Sequence, residues 1–215
     1  MLRRRYHRAI ELMDAKLASF YADAESAGLL DDTLLVITSD HGEAFGEHGL
    51  YCHDASVYET HLRVPLWIRH PALEARRIAD VVSTRGLFDV LRAAALGSSL
   101  GGTLLDPAAR AERPVALAEH FHYPHAAGLL EHYRHDIAAA VVGTRKLIVR
   151  PEAALLYDLV ADPEEIHPIA SSLDEFIALC HRDGAPTAAI AEASMHLQRW
   201  GAPRRGGRVY EMQAG

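Results

Sequence analysis

Apolar residues recur at spacings of three and four from Tyr6 through Ile10, Met13, Leu17 and Phe20 to Ala24, which predicts an amphipathic helix over residues 6–27. Gly28 supplies the stop and Leu29-Leu30-Asp31-Asp32 the turn. The pattern then changes to a short run over 33–38, apolar throughout its middle (Leu34-Leu35-Val36-Ile37). Such a run after a helix predicts a strand of a parallel sheet, covered on both faces. A second strand is predicted over 64–69, with Pro65 near its start, where a missing N–H is tolerated. Leu87, Leu91, Ala94 and Ala95 mark the inner side of another helix over 84–96, which Gly97 stops.

Residues 97–113 are rich in Gly, Ser, Pro and Ala and make the best linker candidate. Four strand-like runs follow at 114–119, 137–143, 146–150 and 155–159, with Val142-Gly143-Thr144-Arg145-Lys146 as a hairpin turn. Their closeness without a helical crossover predicts antiparallel pairing. Residues 172–199 return to helical spacing and end at Trp200-Gly201. The expected fold class is therefore α/β. A mostly parallel sheet with helices occupies residues 1–105, and a small antiparallel sheet with a C-terminal helix occupies 106–215.

Composition supports a folded chain: 49% of the 215 residues are hydrophobic and 24% charged. The net charge of −7 argues against a nucleic-acid surface, which needs a concentrated basic face. Arg3-Arg4-Arg5, Arg76-Arg77 and Arg204-Arg205 are short, scattered and read as solvated surface. Cys52 and Cys180 form no paired framework and are expected to be thiols. No apolar run approaches the roughly 20 residues that span a bilayer. The first residues, MLRRRYHRAIELMDAK, lack the apolar stretch of a signal peptide, so a protein beginning at Met1 is expected in the cytoplasm.

Chemistry concentrates at 36–54, VITSDHGEAFGEHGLYCHD. Asp40 and His41 follow the predicted buried strand directly, where open α/β sheets place their ligands. A carboxylate and an imidazole both ligate Mn, Zn or Mg-class ions, and carboxylate alone favours Ca. Adjacent residues share an ion only where the backbone turns sharply, and Gly42 permits that turn. Glu43, Glu47, His48, His53 and Asp54 follow closely; a plain polar loop is the alternative. A rival cluster, His120, His122 and His125 with His132 and His135, has zinc-like spacing, but no Cys or acidic partner stands at an obvious ligand position. Substrate-rim or surface histidines are favoured there.

The pieces YHRAIELMDAKL, GLLDDTLLVITSDHGEAFGEHG and HDASVYETHLRVPLWIRHP strongly resemble the sulfatase family of the alkaline phosphatase superfamily. VVSTRGLFDVLRAAALG and LLYDLVADPEEIHPIA extend the resemblance over roughly residues 5–200. It implies a partial alkaline-phosphatase-like sheet, with Asp40 and His41 as ligands of one divalent metal ion, Ca first and Mn, Mg or Zn as alternatives. It places His53 against the sulfate or the leaving-group oxygen. Many sulfatases carry Asn where this chain has His41, and the His form is common among phosphonate monoester hydrolases and phosphoglycerol transferases. His48 is either a residue orienting a ligand or a brace of the loop. Glu43 and Glu47 are expected to support the loop, and Arg63 to form a structural ion pair.

The family's nucleophile lies in a Cys/Ser-x-Pro-x-Arg run, and no such run occurs in these 215 residues. The resemblance thus implies the C-terminal portion of a sulfatase, whose nucleophile-bearing N-terminal half is supplied in cis or in trans. Alone, such a chain should bind metal weakly and turn over little. The expected substrate is a sulfate ester, small molecule or glycan, with a phosphorus ester as the rival. A non-catalytic remnant is the third possibility. Localisation is open, since a longer parent is compatible with the periplasm or secretion.

Overall fold

The structure, a computed structural model, describes residues 1–53, 56–123, 134–151 and 153–202. The chain divides into two compact units, Met1–His53 with Arg63–Arg77, and Asp54–Leu62 with Ile78–Gly215.

In the first unit, α1 spans Leu2–Ser26 and ends where Gly28 adopts φ 68°, a left-handed conformation glycine takes without a Cβ clash. Its predicted inner side is uncovered: Tyr6, Ile10, Met13 and Phe20 are all exposed, and Ala24 is its one buried residue. β1 (Leu35–Thr38) is followed by a tiny hairpin of β2 (Ala44–Phe45) and β3 (Tyr51–Cys52), and later by β4 (Leu66–Arg69). β1 pairs with β4 from Leu35↔Arg69 to Thr38↔Leu66. Arg69 ties back to the Leu30 carbonyl, and Tyr21 meets Trp67 edge-on at 6.1 Å. Only Ala24, Leu30 and Ala44 are buried apolar residues among those described in this unit.

The expected mostly parallel sheet is overturned. Every strand pair among the described residues is antiparallel, in sheets of two, two and four strands. A continuous apolar run reports how deeply a strand is buried and carries no information on the direction of its partner. Here β1 is half-buried, and its partner β4 runs against it.

The second unit is built on a four-stranded meander: β5 (Val115–His120), β6 (Ile137–Val142), β7 (Arg145–Arg150) and β8 (Ala153–Asp158), paired in that order. Side chains alternate between its faces. Ala140, Val142, Leu147, Val149, Ala154 and Leu156 meet Leu173, Phe176, Cys180, Ile190, Ala193 and Leu197 in one core. The last six come from two helices where the sequence pattern suggested one helical stretch. The segment breaks at Gly184 (φ 78°) and Pro186, between Leu173–Arg182 and Thr187–Arg199. Ser172 caps the first of these by accepting from the Glu175 N–H, while the Glu175 carboxylate accepts from the Ser172 hydroxyl at 2.7 Å and from the Ser171 N–H at 3.2 Å. Before the meander, the short helix Glu59–Leu62 (α2) precedes α3 (Leu87–Ala95) and α4 (Pro107–Glu112). The two C-terminal helices are therefore α5 and α6. α4 lies inside the expected linker: Asp106 caps it and Pro107 opens it, a pairing suited to a helix start. No helix among the described residues is long and apolar enough to cross a membrane.

The opposite face of the meander is covered as well, and there sits a surprise. Lys146, which opens the strand expected over 146–150, has 0% exposure, and the turn is confined to Gly143-Thr144. Its Nζ donates to Glu59 Oε1 at 2.8 Å and to Glu165 Oε1 at 2.7 Å. Both cysteines are thiols, with Cys52 exposed and Cys180 buried. Burial, and then the nearby Asp183 charge, push the Cys180 thiol up to about 12. Since the thiolate is the reactive form, a thiol reagent should titrate one cysteine in the native chain and two after denaturation. Rapid native labelling of both would contradict the packing of α5.

Candidate functional site

Ser39, Asp40 and His41 leave the end of β1 as a tight polar corner. The Ser39 hydroxyl donates to the His41 carbonyl at 2.8 Å, and the His41 N–H donates to Asp40 Oδ1 at 3.0 Å. Its own backbone hydrogen bond, then the adjacent imidazole, hold the Asp40 carboxyl below the usual range. His41 Nδ1 lies 2.9 Å from the Gly42 carbonyl, which can only accept, so Nδ1 carries the proton. The lone pair is left on Nε2, and Asp40 Oδ2 stands 3.6 Å from it. An oxygen donor and a nitrogen donor therefore lie side by side at this corner.

The hairpin β2–β3 brings His53 back onto this corner. The His41 and His53 rings stack at 4.6 Å, 19° from parallel. Glu43, mostly buried, faces His53 Nδ1 at 3.4 Å. Gly42 does not adopt a left-handed conformation. Left-handed conformations fall instead at Gly46 (φ 120°), His48 (φ 55°), Gly49 (φ 73°) and Cys52 (φ 64°). A left-handed His and Cys in one short loop cost strain of order 1 kcal/mol each or more. The hairpin is braced by Glu47, whose carboxylate accepts from the Phe45 N–H and pairs with Arg3, while the Arg3 guanidinium lies 5.4 Å over the Phe45 ring. Tyr6 meets the same ring edge-on at 5.0 Å.

Other predicted residues are dispersed. Arg63 is exposed and shows no ion pair among the described residues. His122 has an acidic partner that spacing had not suggested, Asp136 at 2.8 Å, and His196 faces Glu119 at 3.5 Å. Asp54, His125 and His132 lie outside the described residues. Among those described, no group of three or more His, Cys, Asp or Glu side chains is placed to hold a metal. Asp40 and His41 thus fit a divalent ion as part of a coordination sphere, since four to eight ligands are normal for such ions.

The end of β1 thus carries a carboxylate–imidazole pair with a second imidazole stacked against it. The sequence model of the Sulfatase family matches this chain over residues 2–95, its N-terminal part. Arylsulfatase K of Gallus gallus is 29% identical over 178 residues, covering 76% of this chain and 32% of that protein. The Bos taurus arylsulfatase K is 29% identical over 175 residues, 75% of this chain and 32% of its own length. Choline-sulfatase of Rhizobium meliloti (strain 1021) is 37% identical over 71 residues, 33% of this chain and 14% of that protein. The chain is related to the sulfatases, a family of sulfuric ester hydrolases that typically bind a divalent metal. It spans about a third of the length of the arylsulfatase K relatives it matches.

Proposed function

We propose that this chain is the C-terminal portion of a metal-dependent sulfatase and contributes its Asp40-His41 metal corner and His53. What supports this most is the fixed His41 tautomer, with Nε2 and Asp40 Oδ2 3.6 Å apart next to the stacked His53. Asp40 binds the ion through its carboxylate and His41 through Nε2. Calcium is the first candidate, with Mn, Mg or Zn as alternatives. A divalent ion held there neutralises the sulfate oxygens. As the ester S–O bond breaks, its electron pair goes to the alcohol oxygen, and His53 delivers the proton from Nε2. Glu43, opposite Nδ1, stabilises the imidazolium that precedes transfer and holds the ring. The nucleophile and remaining ligands come from residues beyond these 215, and the isolated chain is inactive.

His41 in place of the asparagine of many sulfatases favours a second reading, a phosphate or phosphonate ester as substrate. Both are tested by expressing the chain alone and within the longer protein encoded by the in-frame upstream DNA, then assaying aryl sulfate and aryl phosphonate. The expected result is background turnover by the chain and aryl sulfate hydrolysis by the longer protein. There, His53→Gln should lower kcat by about 10²–10⁴-fold. A large preference for the phosphonate moves the assignment to the second reading, and no hydrolysis of either ester leaves a non-catalytic remnant.

A further inference from the structure

The hairpin that leads into His53 is too short to hold itself. Its strands share two residue pairs, Ala44↔Cys52 and Phe45↔Tyr51, and an isolated two-stranded ladder is marginal in water even when longer. The segment also keeps His48 and Cys52 in left-handed conformations, which persist only where surrounding contacts impose them. Such contacts come from the first turns of α1, in the same compact unit. Arg3 Nη2 donates to Glu47 Oε1 at 2.5 Å, and Glu47 Oε2 accepts from the Phe45 N–H at 2.5 Å. The Arg3 guanidinium lies 5.4 Å over the Phe45 ring, which Tyr6 meets edge-on at 5.0 Å. One cation thus grips the hairpin through a carboxylate and through an aromatic face.

The first turn of α1 has no acidic residue, and a positive charge there opposes the helix dipole. Glu47 supplies the missing anion from the hairpin. Burial works against its charge, but the Phe45 and Glu47 N–H groups, and then Arg3, outweigh burial and hold the carboxyl below its ordinary range. The Arg3 and Glu47 side chains are 58% and 37% exposed, and such a pair adds little to stability by itself. What it contributes is placement. His53 follows Cys52 directly, and its ring stacks on the His41 ring at 4.6 Å. His41 is held from the other side, by the end of β1 and the Gly42 carbonyl, so the stack depends on where the hairpin sits. We propose that Arg3 and Glu47 are positioning residues: they fasten the β2–β3 hairpin to the first turn of α1 and thereby hold the His53 ring on the His41 ring. The inference rests on the role assigned to His53 above.

The test uses the full chain at neutral pH. Its readouts are amide exchange at Phe45 and the nuclear Overhauser effect between the His41 and His53 rings. Arg3→Ala removes the grip without emptying a buried site, and alanine favours the helix, so α1 still forms. Glu47→Gln removes the charge and keeps an acceptor for the Phe45 N–H. Arg8→Ala breaks the exposed Arg8–Glu11 pair of the same helix and is the control. In Arg3→Ala, Phe45 exchange should accelerate about 10-fold or more and the ring contact should fade, with smaller changes of the same sign in Glu47→Gln. Arg3→Lys, which keeps a cation opposite Glu47, should fall between wild type and Arg3→Ala. Arg8→Ala should match wild type. Wild-type ring contact in both Arg3→Ala and Glu47→Gln overturns the proposal, as does an equal loss in Arg8→Ala or the absence of the contact in wild type. In the longer protein, Arg3→Ala should lower kcat for aryl sulfate about 10-fold or more, with KM changed less. Should the ring contact respond as expected while the longer wild-type protein hydrolyses no ester, the brace stands and the sulfatase assignment falls. Unchanged ring contact in the variants with hydrolysis intact removes the brace alone.

Discussion

Phe176→Ala is expected to destabilise the meander and its two helices by about 3–5 kcal/mol, the range for emptying an aromatic site in a packed core. Phe176 is fully buried, on the same side of α5 as Leu173 and Cys180, against the β-face that carries Leu147, Val149 and Leu156. None of these neighbours is long and unbranched enough to swing into the void, so little of the cavity should be refilled. In urea the midpoint should fall by roughly 1–3 M with the slope unchanged. That is a large share of the roughly 5–15 kcal/mol typical of a whole domain. A loss below about 1 kcal/mol would show that α5 packs less tightly than its buried face indicates.

Asp40→Ala is expected to weaken divalent-cation binding by more than about 100-fold, past the 10–100-fold lost when an outer partner of a metal ligand is removed. On the function proposed above, Asp40 supplies the charged one of two donors, and the described residues place no group of three or more His, Cys, Asp or Glu side chains to hold an ion in its stead. In the isolated chain, where two donors hold the ion weakly, the loss should reach baseline in a calorimetric or Mn²⁺ spin-resonance titration. In the longer protein the full factor is measurable. His41→Ala separates the candidate metals. It should strongly reduce Mn or Zn binding and change Ca binding little, because calcium takes oxygen ligands. Equal calcium and manganese affinities in wild type and Asp40→Ala would remove the corner as a metal site.

The meander was readable from the sequence because its strands are short, closely spaced and joined by a Gly-Thr turn, so local pattern and tertiary pairing agree. The longer helices were readable for the same reason, apart from the break at Gly184 and Pro186, whereas the short α2 was not predicted and α4 lies where a linker was expected. β1 was found but its partner direction was not, since Leu35-Val36-Ile37 has the same pattern whichever way β4 runs. The inner side of α1 was legible as a pattern, yet it remains uncovered here. At the site, the residue pattern picked out Asp40 and His41, the family resemblance added His53, and the structure brings the three together. Their mutual arrangement depends on backbone turns at Gly46, His48 and Cys52 that no residue spacing announces. The burial of Lys146 was not foreseen. A lysine beside a hairpin turn is normally solvated, and its two partners lie at positions 59 and 165, distant in sequence.

That distance has a consequence for how the chain is made. Glu59 and Lys146 are 87 residues apart, so at a synthesis rate of about 5–20 residues per second Glu59 emerges roughly 4 to 17 s before its cation does. Closing so long a loop delays the contact further, because its entropy is spent before any bond rewards it. Throughout that interval Glu59 lacks the cation it is paired with in the folded unit. The second unit should therefore be at its most chaperone-dependent between the emergence of residues 56–62 and the completion of the β7–β8 hairpin.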